Sequence, residues 1–73
     1  MREGWAGLQK RSFSLSGHRT SVALEMEFWT VLGALAEADG VPLSVLVGRV
    51  DAMRSPGQPL ASALRLRALL SGK

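Results

Sequence analysis

Few residues of this 73-residue chain could carry out covalent chemistry. There is no cysteine and a single histidine, His18, so thiolate zinc sites and multi-histidine metal sites are excluded within one chain. A serine nucleophile needs a base within hydrogen-bond reach and a third group that orients the base. No acid is placed by spacing to complete such a set, and Glu25 and Glu27 point in different directions at a helix start. We therefore predict that the chain is not an enzyme, uses no cofactor and holds no metal.

Residues 18–25, HRTSVALE, show an alternation of side chains that could recognise a ligand without covalent chemistry. In an extended strand, successive side chains point to opposite faces, and Thr and Val also favour the pleated backbone. The mainly apolar face carries Thr20, Val22 and Leu24. The other face carries Arg19, Ser21 and Ala23. The pattern predicts a half-buried strand over residues 19–24, with one row of side chains free to meet a partner.

This strand needs a neighbour, because a lone strand leaves the backbone groups of both edges unpaired. Phe13 and Leu15 alternate with serines over residues 12–16, a weaker strand signal that ends at Gly17. Two arrangements would give the backbone groups of this strand hydrogen-bond partners: a hairpin with residues 12–16, or pairing with the same strand of a second subunit. The sequence by itself leaves both open.

Helical periodicity replaces the alternation from Glu25 onward. The first apolar stripe, which should face a core, consists of Phe28, Val31, Leu32, Leu35 and Ala38. Gly40 is expected to end this helix, and Pro42 to lie in the first turn of a second one. The second stripe consists of Leu43, Leu46, Val47, Val50 and Met53. Trp29 lies about 100° from Phe28 around the first helix, so we expect it to pack against a third helix or a partner subunit.

The remaining segments complete the domain organisation. Residues 1–11 are predicted to form a flexible basic arm, and residues 12–54 the core of one or two strands and two helices. Residues 55–59, SPGQP, are predicted to be a turn-rich linker. Residues 60–71 are predicted to form a C-terminal helix that packs on the core, because its leucines spread around much of the circumference.

The net charge of +3 is unevenly distributed along the chain. Residues 1–21 hold four basic side chains and one acidic one, residues 22–54 two basic and five acidic, and residues 55–73 three basic ones. A basic arm ahead of an acidic middle indicates a polyanionic partner for the arm. The alternative is an ordinary solvated charge pattern.

A chain of this length is one small domain. Domains of this size are marginally stable and usually add disulfides, a metal or a partner subunit. With the first two excluded, we expect a homodimer. No apolar run approaches the roughly 18 residues of a membrane span, and residues 1–9 lack the apolar core of a secretory signal. We therefore expect a cytoplasmic protein that does not bind membranes.

A resemblance to a known family is carried by three stretches in order: KRSFSLSGHRTSVALEMEFW (10–29), GVPLSVLVGRVDAMR (40–54) and PLASALR (59–65). The chain resembles the ribbon-helix-helix family of MetJ and Arc. It is most similar to a bacterial subfamily with a Lys-Arg-Ser start, a Gly-His-Arg-Thr-Ser strand, a Leu-Glu-x-x-Phe-Trp first helix and a Ser-Ala-x-Arg end. The resemblance spans roughly residues 10–67.

The resemblance implies a DNA-binding transcriptional regulator. Two strands, one from each chain of an intertwined homodimer, would pair into an antiparallel ribbon that lies in the major groove. The outward face of the ribbon would read base edges through Arg19, Ser21 and Ala23. The start of the second helix would meet a phosphate through the backbone N–H groups of Leu43 and Ser44. The predicted shared core consists of Thr20, Val22, Leu24, Phe28, Leu32, Leu46 and Val50.

Further phosphate contacts are expected from Lys10, Arg11 and His18. Lys10 and Arg11 suit contacts that do not depend on base sequence and that weaken as salt rises. His18, next to Gly17, could touch a phosphate or cap the start of the strand.

Two residues depart from the family pattern. Ala23 stands where a long polar side chain is common, and it can offer only a methyl contact, for instance to thymine. Pro42 stands where a serine is common, and it provides neither a capping hydroxyl nor an N–H. These departures favour an alternative, a protein-interaction module on the same scaffold that docks a partner polypeptide through its third helix or its N-terminal arm.

Overall fold

The structure is a computed structural model that describes residues 7–71. In this part of the chain two strands are followed by three helices: β1 (Leu8–Leu15), β2 (His18–Glu25), α1 (Met26–Ala38), α2 (Leu43–Met53) and α3 (Leu60–Leu70). The predicted class, strand structure followed by three helices, is confirmed. Residues 1–6 of the predicted arm lie outside the described residues.

β1 and β2 form an antiparallel hairpin within one chain. Ser16 and Gly17 make the turn, and their φ angles of 51° and 82° are those of a type I′ turn, whose twist matches that of the paired strands. Leu15 lies opposite His18 as the first pair after the turn. The hairpin, one of the two arrangements left open by the sequence, is present, and within residues 7–71 the other edge of β2 has no strand beside it.

β1 is longer than the sequence predicts. The predicted flexible arm is corrected at residues 8–11, which belong to β1. These residues are ordered because each lies opposite a residue of β2, as Lys10 does with Ala23. The predicted strand over residues 19–24 is present and is one residue longer at each end.

α1 ends in a cap that depends on Gly40, as predicted. The φ angle of Gly40 is 71°, a left-handed conformation in which glycine avoids the steric cost of a Cβ atom. Its N–H donates to the carbonyl oxygen of Glu37 at 3.0 Å, and the N–H of Val41 donates to that of Ala36 at 3.0 Å. The two bonds form a Schellman motif, which satisfies carbonyl groups at the helix end and turns the chain toward α2.

Pro42 precedes α2 and does not lie in its first turn, which corrects the sequence prediction. Its ψ angle of 154° is extended, and the helix begins at the next residue. The carbonyl oxygen of Pro42 accepts the N–H groups of Val45 at 3.0 Å and Leu46 at 3.3 Å. Pro59 stands before α3 in the same extended conformation.

The core lies between the inward face of the hairpin and the helices. Its buried side chains are Leu15, Val22, Leu24, Trp29, Leu32, Ala36, Leu46, Val47, Leu64 and Ala68. Four residues predicted for a core shared between chains are therefore buried within one chain: Val22, Leu24, Leu32 and Leu46. The other three, Thr20, Phe28 and Val50, are half-buried.

α1 turns a different face to the core than its apolar stripe predicts. The buried side chains of α1 are Trp29, Leu32 and Ala36. Phe28 is half-buried and packs against the core, as predicted, whereas Val31 is 37% exposed and its predicted place in the core is wrong. The cause is the unexpected length of β1, which covers the side of α1 that carries Trp29. The Trp29 ring packs beside that of Phe13 at 5.9 Å between centroids, and Trp29 also belongs to the buried cluster that includes Leu64 and Ala68 of α3.

Among residues 7–71, no single helix is long and apolar enough to cross a membrane. α1 and α2 meet the length and composition requirements only when taken together, and they are bent by 101° at their junction.

Candidate nucleic-acid interface

The outward face of the hairpin carries two parallel rows of exposed side chains. Three cross-strand pairs point away from the helices: Lys10 with Ala23, Ser12 with Ser21, and Ser14 with Arg19. The residues predicted from the sequence to contact bases form the row on β2. β1 adds a second row beside it, so the exposed face is a two-stranded ribbon with a basic side chain at each of two diagonal corners.

The centre of this face is a pair of hydroxyl groups. The Oγ atoms of Ser12 and Ser21 lie 2.9 Å apart and share one hydrogen bond, in which either can donate. A serine hydroxyl has one donor hydrogen and two acceptor lone pairs. The pair therefore keeps both donor and acceptor capacity toward a ligand, and its small size leaves the backbone open to close approach.

The ribbon is fastened to the helices through Trp29. The indole N–H of Trp29 donates to the carbonyl oxygen of Gln9 at 2.8 Å, and the guanidinium carbon of Arg11 lies 5.1 Å from the centroid of the indole ring. The second contact is a cation–π interaction, which is favourable at this distance. Both contacts involve β1, so they join this strand to α1.

Arg11 and His18 do not share a face with Arg19. Arg11 lies opposite the buried Val22 and turns toward Trp29 on the inward side of the hairpin. Arg11, predicted from the sequence to contact a phosphate from a flexible arm, is instead part of β1, and its exposed side chain lies on the face opposite to Arg19. His18 lies beside the turn, opposite the buried Leu15, with an exposed side chain.

The start of α2 lies apart from the ribbon in sequence and carries Leu43 and Ser44. Leu43 is half-buried and Ser44 is exposed. Within the described residues, no side chain caps this helix start, so its first N–H groups keep their capacity to donate.

The far end of the ribbon is neutralised by an ion pair. The carboxylate of Glu25, at the end of β2, lies 3.0 Å from the guanidinium of Arg65 on α3, and that guanidinium also lies 5.7 Å from the ring centroid of Phe28. A hydrogen bond from its own backbone N–H, and then the Arg65 side chain, lower the pKa of Glu25 below its ordinary value of 4.5. The pair removes an uncompensated negative charge from beside the basic face.

A second surface feature is an apolar groove between the three helices. It has a volume of about 660 Å³, and no hairpin residue is among its lining residues in the described part of the chain. Met53, Leu66 and Leu70 line it, with exposed fractions of 84%, 50% and 71%. The expectation that Met53 belongs to the core is therefore wrong. Leu46 and Val50, both predicted for a shared core, also line this groove.

Sequence reasoning missed Ser12 and Ser14 as part of the exposed face. The signal was present in the alternation of residues 12–16 and in the Ser16-Gly17 dipeptide. A two-residue turn at that dipeptide fixes the register, and the register alone places Ser12 beside Ser21.

Comparison with known proteins agrees with this architecture. No curated protein and no solved structure matches the chain. Residues 8–71, which include both strands and all three described helices, match the family model of the ribbon-helix-helix domain. Domains of this family generally bind DNA as transcriptional regulators. Because the match covers most of its length, the chain belongs to the ribbon-helix-helix family.

Proposed function

We propose that this protein is a DNA-binding transcriptional regulator that inserts the outward face of its hairpin into the major groove. The observation that carries the proposal is the exposed ribbon with Arg19, Ser21 and Ala23 in one row. The major groove admits a two-stranded ribbon and displays a distinct pattern of donors, acceptors and methyl groups for each base pair. A rigid ribbon with short side chains and one arginine fits that pattern.

Each residue of the row has a distinct role in the proposal. Arg19 presents two parallel N–H groups to O6 and N7 of guanine, an interaction worth about 1–3 kcal/mol of discrimination. The hydroxyl of Ser21 can donate a hydrogen bond to an acceptor on a base edge or accept one from a donor there. Ala23 provides a methyl contact to thymine and otherwise lets the ribbon approach closely.

Phosphate contacts would set the orientation of the ribbon and supply sequence-independent affinity. Lys10 is exposed on the outward face and is the best placed of the predicted phosphate contacts. The uncapped start of α2, at Leu43 and Ser44, offers backbone N–H groups for the same purpose. His18 adds a further contact beside the turn.

We also propose that the protein acts as a homodimer. A single chain leaves Met53, Leu66 and Leu70 largely exposed around the groove between the helices. Apolar side chains clustered at a surface favour association. A second copy that covers this groove would leave both ribbons free, since the hairpin does not line it, and two ribbons would read two half-sites.

The test is a selection from randomised duplex DNA, followed by affinity measurements at several salt concentrations. Enrichment of a motif that contains guanine, with binding that weakens as salt rises, is the expected result. Arg19→Ala should lower affinity for the selected motif between about fivefold and about 150-fold. Arg19→Lys is the matched control: it keeps the charge and the salt dependence, but it lacks the planar fork and should lose the preference for guanine. Absence of binding to any duplex at low salt would overturn the proposal.

A second candidate function is favoured by the apolar groove. A partner polypeptide could occupy it in place of a second copy, and the protein would then be an interaction module with weak or no DNA binding. A pull-down from nuclease-treated extract that retains one stoichiometric protein, together with no enrichment of any DNA motif, would support this candidate over the first.

A further inference from the structure

We propose that the apolar groove between the three helices is also a docking site for an acidic amphipathic helix of a partner protein, which competes there with a second copy of this chain. The inference rests on the proposed function, because the competition would regulate the proposed dimer. It goes beyond that function by naming the chemistry of the partner.

Two walls of the groove carry side chains in the same pattern. On α2 the lining side chains recur at i, i+3, i+4 and i+7: Leu46, Arg49, Val50 and Met53. On α3 they recur with the same spacing: Ala63, Leu66, Arg67 and Leu70. Residues at this spacing share one face of a helix. Each wall therefore presents three apolar side chains and one arginine.

These walls are too exposed to enclose a small molecule. A site for a small ligand covers about 70–90% of the ligand's surface. Met53, Leu66 and Leu70 line this groove, yet all three are exposed to solvent over half or more of their surface. An open groove with apolar walls instead fits the apolar stripe of a helix, whose side chains at i, i+3, i+4 and i+7 insert as anchors.

The charge at the groove is mainly positive. Its lining in the described part of the chain includes three arginines and one acidic residue, Asp39. Arg49 is paired with Asp39, and the Nε atom of Arg54 lies 2.8 Å from a carboxylate oxygen of Asp51. Within residues 7–71, the exposed Arg67 has no ion-pair partner. A carboxylate on the occupant would complement this charge.

A second copy matches the apolar walls but not the charge. Homodimers most often have twofold symmetry, which places the same patch on both sides of the interface. The groove of a second copy would then bring another Arg67, and no unpaired carboxylate, toward Arg67. An acidic helix provides both apolar side chains and carboxylates, so it would displace the second copy. Each molecule would keep one ribbon, and binding to two half-sites would weaken.

The experiment uses the full chain and two designed peptides, each longer than the roughly 12–15 residues below which isolated helices are marginal. Both peptides carry leucine at i, i+3, i+4 and i+7, and the flanking positions are glutamate in one and lysine in the other. Fluorescence anisotropy should show that the glutamate peptide binds about tenfold more tightly, by a margin that shrinks as salt rises. At saturation, sedimentation should give one chain with one peptide in place of two chains.

Two variants test whether the contact lies in the groove. Arg67→Glu should lower the affinity for the glutamate peptide by about fivefold or more, because an attraction becomes a repulsion. Ser62→Glu places the same acidic side chain on the same helix but outside the groove, and it should leave the affinity for both peptides unchanged. Circular dichroism checks that both variants fold. Should Arg67→Glu not fold, Arg67→Gln takes its place and should also weaken binding of the glutamate peptide.

The outcomes separate the inference from the proposed function. Equal binding of both peptides, or binding of neither, overturns the inference, and so does equal behaviour of Arg67→Glu and Ser62→Glu. A complex that keeps two chains at saturating peptide shows that the peptide and the second copy do not compete, which overturns it too. Binding of dodecanoate without binding of the glutamate peptide would identify a small amphiphile as the occupant, with the same consequence. None of these results affects DNA binding, which is measured without peptide.

Failure of the proposed function has its own signature. If the wild-type chain binds no duplex, the DNA-binding proposal falls, but the peptide preference and its loss in Arg67→Glu still support or overturn the docking site. If the wild-type chain sediments as a single copy without peptide, there is no dimer to displace, and the inferred competition falls together with the proposed dimer.

Discussion

The indole N–H of Trp29 donates a hydrogen bond to the main-chain carbonyl oxygen of Gln9 at 2.8 Å, which joins the first helix to the first strand. The same ring supports Arg11 and Phe13. One side chain therefore contacts three residues of β1, Gln9, Arg11 and Phe13.

Trp29→Phe should destabilise the fold by about 1 kcal/mol, because it keeps most of the buried ring but removes the donor to Gln9. Trp29→Ala should cost about 3–5 kcal/mol through the cavity that it leaves. Urea unfolding of the two variants measures the difference. If Trp29→Phe unfolds at the wild-type midpoint, the bond to Gln9 does not contribute to stability.

The turn of the hairpin gives a second prediction. Ser16 has a φ of 51°, a left-handed conformation that costs most residues about 1–2 kcal/mol, while Asn-Gly is the preferred dipeptide of a type I′ turn. Ser16→Asn should raise the free energy of unfolding by a few tenths of a kcal/mol up to about 1 kcal/mol. Gly17→Ala, at a φ of 82°, should lower it by about 1 kcal/mol. Opposite signs for the two changes are the expected result, and equal signs would contradict the turn type.

Acid should weaken the contact between Glu25 and Arg65. The pKa of Glu25 is lower in the folded state than its ordinary value of 4.5, because its own backbone N–H and then Arg65 favour the carboxylate. A carboxylate of this kind stabilises the fold above pH 4.5, and the contribution is lost as the pH falls through the lowered pKa. Arg65→Gln should move the pKa of Glu25 upward in an NMR titration. Arg67→Gln, on the same helix, is the control and should not move it.

A charged substitution tests whether the groove between the helices is the dimer interface. Leu66 is 50% exposed and lines the groove, so Leu66→Glu should lower the mass in sedimentation from two chains to one without unfolding the monomer. Val45 is 40% exposed but does not line the groove, and Val45→Glu should leave the dimer intact. Loss of the dimer in both variants, or in neither, would argue against the groove as the interface.

Much of the fold follows from periodicity. The alternation from Arg19 to Leu24 gives the second strand and its two faces, and Gly40 gives the end of the first helix. These predictions succeed because they depend on local rules: side chains alternate in a strand, and a left-handed residue ends a helix.

The parts that sequence reasoning missed depend on contacts between distant segments. The buried face of α1 includes Trp29 because β1 lies over it, and nothing within the helix itself favours Trp29 over the neighbouring Phe28. The position of Arg11 over the Trp29 ring, on a segment distant in sequence, also depends on the pairing of β1 and is invisible in a local sequence pattern. Met53 keeps the helical spacing of a core residue but lies at the end of α2, beyond the cover of the other helices.

The two-residue connection at Ser16 and Gly17 has a consequence for how the protein assembles. β2 finds its neighbouring strand in the same chain and almost adjacent in sequence, so strand pairing requires no collision between two molecules. Contacts between nearby segments also favour rapid folding. Refolding from denaturant should therefore proceed at a rate independent of protein concentration, with association as a later and separable event.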